Sequence, residues 1–269
     1  MLNQALSKWS DWGLAEKPKV IKVFNDGLNH HTGLIKSGDK QFVLKVFEHS
    51  FERTMRAERW AAELDLSPRL HMEADNVALY EFIEDQGYTP KKLSSIAHAL
   101  KHVHQSEAVQ LGDFDLLRFC DVYLANAGSE IQKWHSVLMP VLIEFIEDPT
   151  PWTFCHNDLV TQNCLFKRDG LVFIDWEFAQ RNNPWFDLAS IVLYFELDQK
   201  EAECFLASYR SRWQQPTRHP IFISSQIAVL WCDLLWHTYK FGTAYRANNI
   251  QRFEKLRNLA AEYNLELFV

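Results

Sequence analysis

The chain is poor in cysteine and carries no excess of positive charge. Its five cysteines are odd in number and scattered, and no two form a C-x-x-C pair, which argues against a zinc, iron–sulfur or dithiol redox motif. The formal net charge of -7 argues against nucleic acid as the main partner, because counterion release requires a basic surface. A cationic or neutral small molecule remains compatible with this composition.

Long apolar runs are also missing from the sequence. No segment approaches the roughly 20 uncharged residues of a membrane helix, and the N-terminal region has no continuous apolar stretch of signal-peptide length. We therefore expect a cytoplasmic protein that does not bind membranes. Hydrophobic residues make up 47% and charged residues 23% of the 269 residues, which predicts either one large folded domain or two lobes around a cleft.

Short β-type runs dominate the region from Lys19 to Phe82. Five runs rich in β-branched and aromatic residues, separated by Asp, Gly and Asn turns, predict a small antiparallel sheet. They read VIKVF, HTGLI, QFVLKVF, RLHME and NVALYEFI. Between the third and fourth runs, Phe51, Met55, Arg59 and Ala62 fall at helical spacing, and Pro68 marks the end. This pattern predicts one helix packed on the sheet.

The remaining sequence is mostly of helical periodicity, with one interruption. There, TFC, NCLF and LVFID predict short strands, and KRDG predicts a hairpin turn. The predicted fold class is therefore α+β, with a sheet-based lobe over residues 1–84 and a larger helical lobe over residues 85–269. The segment DQGYTP, residues 85–90, is the predicted hinge.

A run of polar residues, HNDLVTQN at 156–163, precedes FIDWE at 173–177. Its polar side chains stand where a core would require apolar ones. Two acids and an amide, Asp158, Asp175 and Asn163, suit phosphoryl transfer, which needs a carboxylate to orient a hydroxyl and oxygen ligands for Mg²⁺.

These motifs resemble those of the aminoglycoside phosphotransferase and choline kinase family, relatives of the protein kinases, which read H-x-D-x-x-x-x-N and I-D-W-E. The resemblance implies a bilobal protein-kinase-like fold and ATP- and Mg²⁺-dependent phosphorylation of a small hydroxyl-bearing molecule. It implies that Asp158 is the catalytic base, that His156 braces its loop, and that Asn163 and Asp175 bind Mg²⁺. Asp187, in the segment NPWFDLA, would anchor the loop through backbone hydrogen bonds.

The same resemblance extends to the nucleotide side of the site. Lys45, in VLKV, is similar to the family's phosphate-binding lysine, and Glu58 on the following helix would hold it in place. Taken singly, Lys45 could also be a solvated strand residue, and Glu58 a surface acid paired with a nearby arginine. In the turn where the family places its nucleotide-covering loop, Gly27 and Asn29 match. A further run resembles the adenine-binding hinge and comprises Glu81, Phe82 and Ile83.

The aromatic stretch 227–241 has two interpretations. It is either a core helix, or a cation–π wall for an ammonium group with Asp233 supplying the opposite charge. The second interpretation resembles the late aromatic helix of choline kinases. It makes Trp231, Trp236 and Tyr239 candidate substrate contacts. Glu177, which ends the FIDWE motif, is a further candidate substrate contact. Choline, ethanolamine, thiamine, amino sugars and aminoglycosides all remain open as acceptors.

A catalytically silent nucleotide-binding protein on the same fold is the main alternative, and it is disfavoured because none of the acids is missing. A protein kinase is disfavoured as well. Asn157 stands where protein kinases usually carry arginine, and Trp176 and Glu177 follow Asp175 where they carry Phe and Gly. The sequence gives no indication of oligomeric state.

Overall fold

The computed structural model describes residues 1–24, 30–107, 109–125, 127–209, 217, 220–242 and 250–267. The chain divides into two compact units. The first comprises Met1–Ala99 and Gln162–Ala179, and the second comprises Leu100–Thr161 and Gln180–Val269. The lobe boundary expected at residues 84 and 85 stays a prediction.

A five-stranded antiparallel sheet is the framework of the first unit, with strand order β1-β2-β3-β5-β4. The five β-type runs predicted these strands. Their bounds are β1 Lys19–Phe24, β2 His30–Ser37, β3 Lys40–Phe47, β4 Leu70–Ala74 and β5 Val77–Glu81.

Alternation along β3 sends its side chains to two differently covered faces. Leu44 joins a buried cluster with Trp12 and Ile35. This face is covered by a short helix, α1 (Leu2–Ala5), and a 3-10 segment over Leu6–Trp12, neither of which the sequence analysis predicted. Phe47 belongs to the cluster on the other face, with Met55 from α2 (Phe51–Glu63). By the same alternation, Lys45 lies on the α2 side of the sheet.

Helix α2 forms where expected but buries a different face from the predicted one. Met55 is 1% exposed, whereas Arg59 is exposed and pairs with Glu73 at 2.5 Å. Glu58 is 6% exposed and belongs to the buried face. Spacing along the helix misplaced this face because an acid is expected to face solvent. In the structure the hydroxyl of Tyr80, on the sheet, donates a hydrogen bond to the buried carboxylate of Glu58.

Helices make up most of the second unit. At the centre of this unit, helix α8 (Pro220–Phe241) packs against four others: α4 (Leu116–Leu124), α5 (Ser129–Glu147), α6 (Trp185–Tyr194) and α9 (Ile250–Glu262). It is long and apolar enough to cross a membrane by length and composition, but 72% of its most apolar window is buried, which marks it as a core helix. Two further helices are α3 Leu93–Gln105, whose first residues belong to the first unit, and α7 Gln199–Tyr209.

Two small antiparallel strand pairs complete the fold. In the second unit, β6 (Thr153–Cys155) pairs with β9 (Gln180–Asn182). In the first unit, β7 (Cys164–Lys167) and β8 (Gly170–Phe173) form the predicted hairpin. The predicted fold class, α+β with a sheet-based part and a mainly helical part, is confirmed. All five cysteines are free thiols.

The buried face of β2 gives a test of the first unit's packing. Replacing Ile35, which is fully buried, by alanine should destabilise the protein by about 2–4 kcal/mol, because the cavity adds to the lost burial. The same change at Ile21, 53% exposed on edge strand β1, is the matched control and should change stability by less than about 0.5 kcal/mol. The midpoint of urea unfolding measures both, and equal shifts would contradict this packing.

Candidate active site

The open end of the β7–β8 hairpin brings the two predicted metal ligands onto neighbouring segments. Cys164 pairs with Phe173 in the hairpin, and the register continues one step further, where Ile174 N–H donates to the carbonyl of Asn163 at 3.0 Å. Asn163 directly precedes β7, and Asp175 directly follows Ile174. Both side chains carry oxygen donors, the type of ligand that Mg²⁺ prefers.

An ion pair joins this end of the hairpin to the sheet. The Lys45 ammonium lies 2.7 Å from the Asp175 carboxylate, with the two side chains 11% and 35% exposed. Burial lowers the pKa of Lys45, but attraction from Asp175 and from Glu58 more than offsets it, so the net pKa is raised and the lysine stays charged.

Glu58 is close to this ion pair but is not a member of it. Its carboxylate accepts a hydrogen bond from Tyr80 and attracts Lys45 through space. Burial raises the pKa of Glu58, and the charge of Lys45 opposes this shift. Lys45 therefore pairs directly with Asp175, and not with Glu58 as the sequence analysis expected. A surface pairing of Glu58 with an arginine, the other expectation, is not what the structure shows either.

Glu177 is engaged by a histidine at the start of β2. His30 Nε2 lies 3.0 Å from the Glu177 carboxylate, with the side chains 3% and 7% exposed. The backbone N–H of Glu48 donates to His30 Nδ1 at 3.4 Å, so Nε2 carries the proton and donates to Glu177. His49 also lies within metal-binding spacing of the pair, but this tautomer favours a hydrogen bond over coordination.

In the second unit, one buried carboxylate holds the loop that carries Asp158. The two oxygens of Asp187 accept the backbone N–H groups of His156 and Asn157, each at 2.8 Å. His104 Nε2 lies 3.1 Å from the same carboxylate. His156 is fully buried, and its Nδ1 accepts the backbone N–H of Asp158 at 3.3 Å. The loop is thus held through three consecutive backbone N–H groups, those of His156, Asn157 and Asp158.

Two non-glycine residues of these motifs adopt left-handed backbone conformations. Asn157 has φ 64° and Asp175 has φ 65°, a region that costs about 1 kcal/mol or more for such residues. Asn182 stabilises the first of them by donating to the side-chain oxygen of Asn157 at 2.8 Å. Strain of this kind concentrates at functional segments, and here it falls on the two predicted motifs.

The aromatic helix α8 has some residues that match the core interpretation and others that leave the cation–π interpretation open. Trp231 is fully buried, and its indole N–H donates to His135 Nδ1 at 3.1 Å, as expected of a core helix. Trp236 is partly buried and Tyr239 is 55% exposed. Asp233 is held by ion pairs with His237 and Arg252, so its charge already has partners within this unit.

The predicted adenine-side residues lie at the end of β5 and directly after it. Glu81 donates its backbone N–H to the carbonyl of Arg69 at 2.9 Å, and Phe82 is 37% exposed. Ile83 lies in the irregular segment that follows. Gly27 and Asn29 lie outside the described residues.

Several residues that contact the segments of this site were not predicted, because their partners are far away along the chain. Asp85 Oδ1 accepts the backbone N–H of Phe166 at 2.9 Å and so fastens the predicted hinge to β7. His104, His30 and Arg252 make contacts across 83, 147 and 19 residues. No local motif signals such contacts.

The fold, a five-stranded antiparallel sheet with a mainly helical second unit, is protein-kinase-like. The family model described as the phosphotransferase enzyme family matches residues 20–220. The chain therefore belongs to the phosphotransferase enzyme family, and the predicted resemblance and the predicted enzyme class, a small-molecule kinase, are confirmed.

Individual relatives agree with this family. The LicA protein of Haemophilus influenzae is 27% identical over an alignment of 207 positions, and the match covers 68% of this chain and 60% of that protein. The choline kinase LicA from Streptococcus pneumoniae superposes with a TM-score of 0.77 at 22% identity, covering 97% of this chain and 99% of that one. A LicA structure in complex with AMP superposes with a TM-score of 0.76 at 23% identity, covering 97% and 98%.

The contacts of Asp187 give a test of loop positioning. Asp187→Asn should lower kcat for phosphoryl transfer about 10²-fold, because an amide cannot accept both backbone N–H groups and a small misplacement of the loop is costly. Asp169→Asn, an exposed acid in the β7–β8 turn, is the matched control. Steady-state kinetics measure both, and a kcat for Asp187→Asn equal to that of the control would contradict the anchoring role.

Proposed function

We propose that this chain transfers the γ-phosphoryl group of ATP, in the presence of Mg²⁺, to the hydroxyl of a small cationic molecule. The observation that carries the proposal is the ion pair of Lys45 with Asp175, at 2.7 Å, on the segment that follows the β7–β8 hairpin. In protein kinases, a lysine on the third strand binds the phosphates and an aspartate binds Mg²⁺, and Lys45 and Asp175 would take these two roles here.

The first unit supplies the groups for the phosphates. Asn163 and Asp175 offer an amide oxygen and a partly exposed carboxylate, a donor set that fits Mg²⁺. Magnesium, when bound, would offset the negative charge of the phosphates. Lys45, kept charged by its carboxylate neighbours, would contribute the same kind of stabilisation from the sheet. Gly27, Asn29, Glu81, Phe82 and Ile83 remain proposed contacts of the nucleotide.

The second unit supplies the base. The acceptor's hydroxyl oxygen would form a bond to the γ-phosphorus while the bond to the β–γ bridging oxygen breaks, leaving ADP. Asp158 would accept the hydroxyl proton. Its loop is fixed in advance by Asp187 and His156, so orientation of the hydroxyl requires little reorganisation, and positioning supplies much of the rate.

A cationic amino alcohol such as choline is the acceptor class that we favour. The similar proteins include one that is described as a choline kinase, and the net charge of -7 suits a cationic substrate. Within the helical unit, Trp236, Tyr239 and Asp233 offer aromatic faces and an acid on one helix. Trp231 and Glu177 contribute less to this proposal, since both side chains are buried in other contacts.

A screen of ADP release tests this function directly. Choline, ethanolamine, thiamine, an amino sugar and an aminoglycoside are compared as acceptors with two uncharged alcohols, glycerol and glucose, at saturating MgATP, with ³¹P NMR to identify the phosphorylated product. We expect a strong signal with choline or another small cationic alcohol. A signal confined to uncharged alcohols would contradict the acceptor class, and absence of transfer to every acceptor would favour a catalytically silent nucleotide-binding protein.

Asp158→Asn is the matched variant for this screen. It should lower kcat by at least about 10²-fold, because the amide cannot accept the proton, while calorimetry shows nearly unchanged ATP binding. Wild-type turnover in this variant would refute the role of Asp158 as the base.

A further inference from the structure

Asp233 lies at the centre of a cluster of four side chains in the second unit. Its carboxylate lies 2.7 Å from Arg252 Nη1 and 3.1 Å from His237 Nδ1, and it accepts a hydrogen bond from the hydroxyl of Tyr194. The Asp233 side chain is 10% exposed and that of Arg252 is 37% exposed. This Asp233 cluster joins α6, α8 and α9.

The guanidinium of Arg252 occupies a place suited to an organic cation. Its central carbon lies 5.5 Å from the centroid of the Tyr194 ring, while its Nη1 is paired with Asp233. A ring face beside a carboxylate is the environment that attracts ammonium and guanidinium groups. Burial raises the pKa of Asp233, but the hydrogen bonds and charges of His237 and Arg252 together lower it by more. The net pKa is therefore lowered, and the acid is charged.

The cluster also lies within electrostatic reach of the proposed base. Burial is the main cause that raises the pKa of Tyr194. The charge of Asp233 raises this pKa further, that of Arg252 lowers it, and that of Asp158 makes a smaller contribution that raises it. Asp158 and Tyr194 belong to the same unit. A cation bound against Tyr194 and Asp233 would therefore lie in the field of the residue that meets the acceptor's hydroxyl.

We propose that Arg252 is an internal competitor for the acceptor's cationic group. Its guanidinium holds the Asp233 carboxylate and the Tyr194 face, and a cationic acceptor binds there by displacing it. This inference rests on the proposed function and adds to it a residue that sets acceptor affinity. Protein molecules in which Arg252 occupies the site cannot bind the acceptor's cationic group there. The apparent affinity for the acceptor is therefore lowered in proportion to the fraction of molecules with an open site.

Replacing Arg252 by glutamine tests the competition. Arg252→Gln removes the competing charge and should lower KM for the cationic acceptor about five- to tenfold, the scale of a partly exposed ion pair. Arg257→Gln, the same change at an exposed arginine of the same helix, is the matched control and should leave KM unchanged. An acceptor KM for Arg252→Gln that is equal to the control or higher would overturn the proposal.

A binding measurement separates this inference from the proposed function. Calorimetric titration with tetramethylammonium, which has no hydroxyl to phosphorylate, should show about five- to tenfold tighter binding to Arg252→Gln than to Arg257→Gln. Adding Asp233→Asn to Arg252→Gln should abolish the gain. Binding of equal strength in both arginine variants would overturn the inference, even if the wild-type enzyme phosphorylates choline.

The converse outcome is equally informative. If the wild-type protein phosphorylates no cationic alcohol but Arg252→Gln still binds tetramethylammonium more tightly than Arg257→Gln, the proposed acceptor class fails, while Arg252 still competes with organic cations for the Asp233 cluster. Arg252→Lys keeps the charge but loses the planar fork, so it should bind the probe with intermediate affinity. It serves as the second variant if circular dichroism shows that Arg252→Gln does not fold, and wild-type affinity in it would overturn the inference.

Discussion

The ion pair between Lys45 and Asp175 is the interaction on which the proposed role of the first unit depends. A charged lysine on the covered face of a sheet is stable only with a partner, because an isolated buried charge is strongly unfavourable. Asp175 supplies that partner at 2.7 Å, and Glu58 adds attraction from behind. Since the two residues come from β3 and from the segment after β8, the pair also fixes the hairpin against the sheet.

A second buried carboxylate plays the corresponding part in the helical unit. Asp187 is fully buried and accepts two backbone N–H groups of the loop that carries Asp158. Backbone donors that are satisfied in this way cannot rearrange without leaving a buried acid unpaired. Each unit therefore uses a carboxylate in a contact between distant segments to hold chemically important residues still.

Local signals predicted what depends on neighbouring residues. The strands, the β7–β8 hairpin and the order of the two motifs follow from alternation, turn residues and short spacing. Contacts between distant residues escaped prediction. The buried face of α2 includes Glu58 because Tyr80 lies opposite it, the second face of the sheet is covered by the N-terminal segment, and Asp233 is neutralised by Arg252 from another helix.

A double-mutant cycle on Lys45 and Asp175 tests the central claim most directly. The dissociation constant of MgATP is measured by calorimetry for the wild type, Lys45→Met, Asp175→Asn and the double variant. If the pair acts as one unit on the phosphates, each single change weakens binding strongly and the double change adds little, with a coupling free energy of about 1–3 kcal/mol. Additive effects, or wild-type affinity in either single variant, would contradict the account.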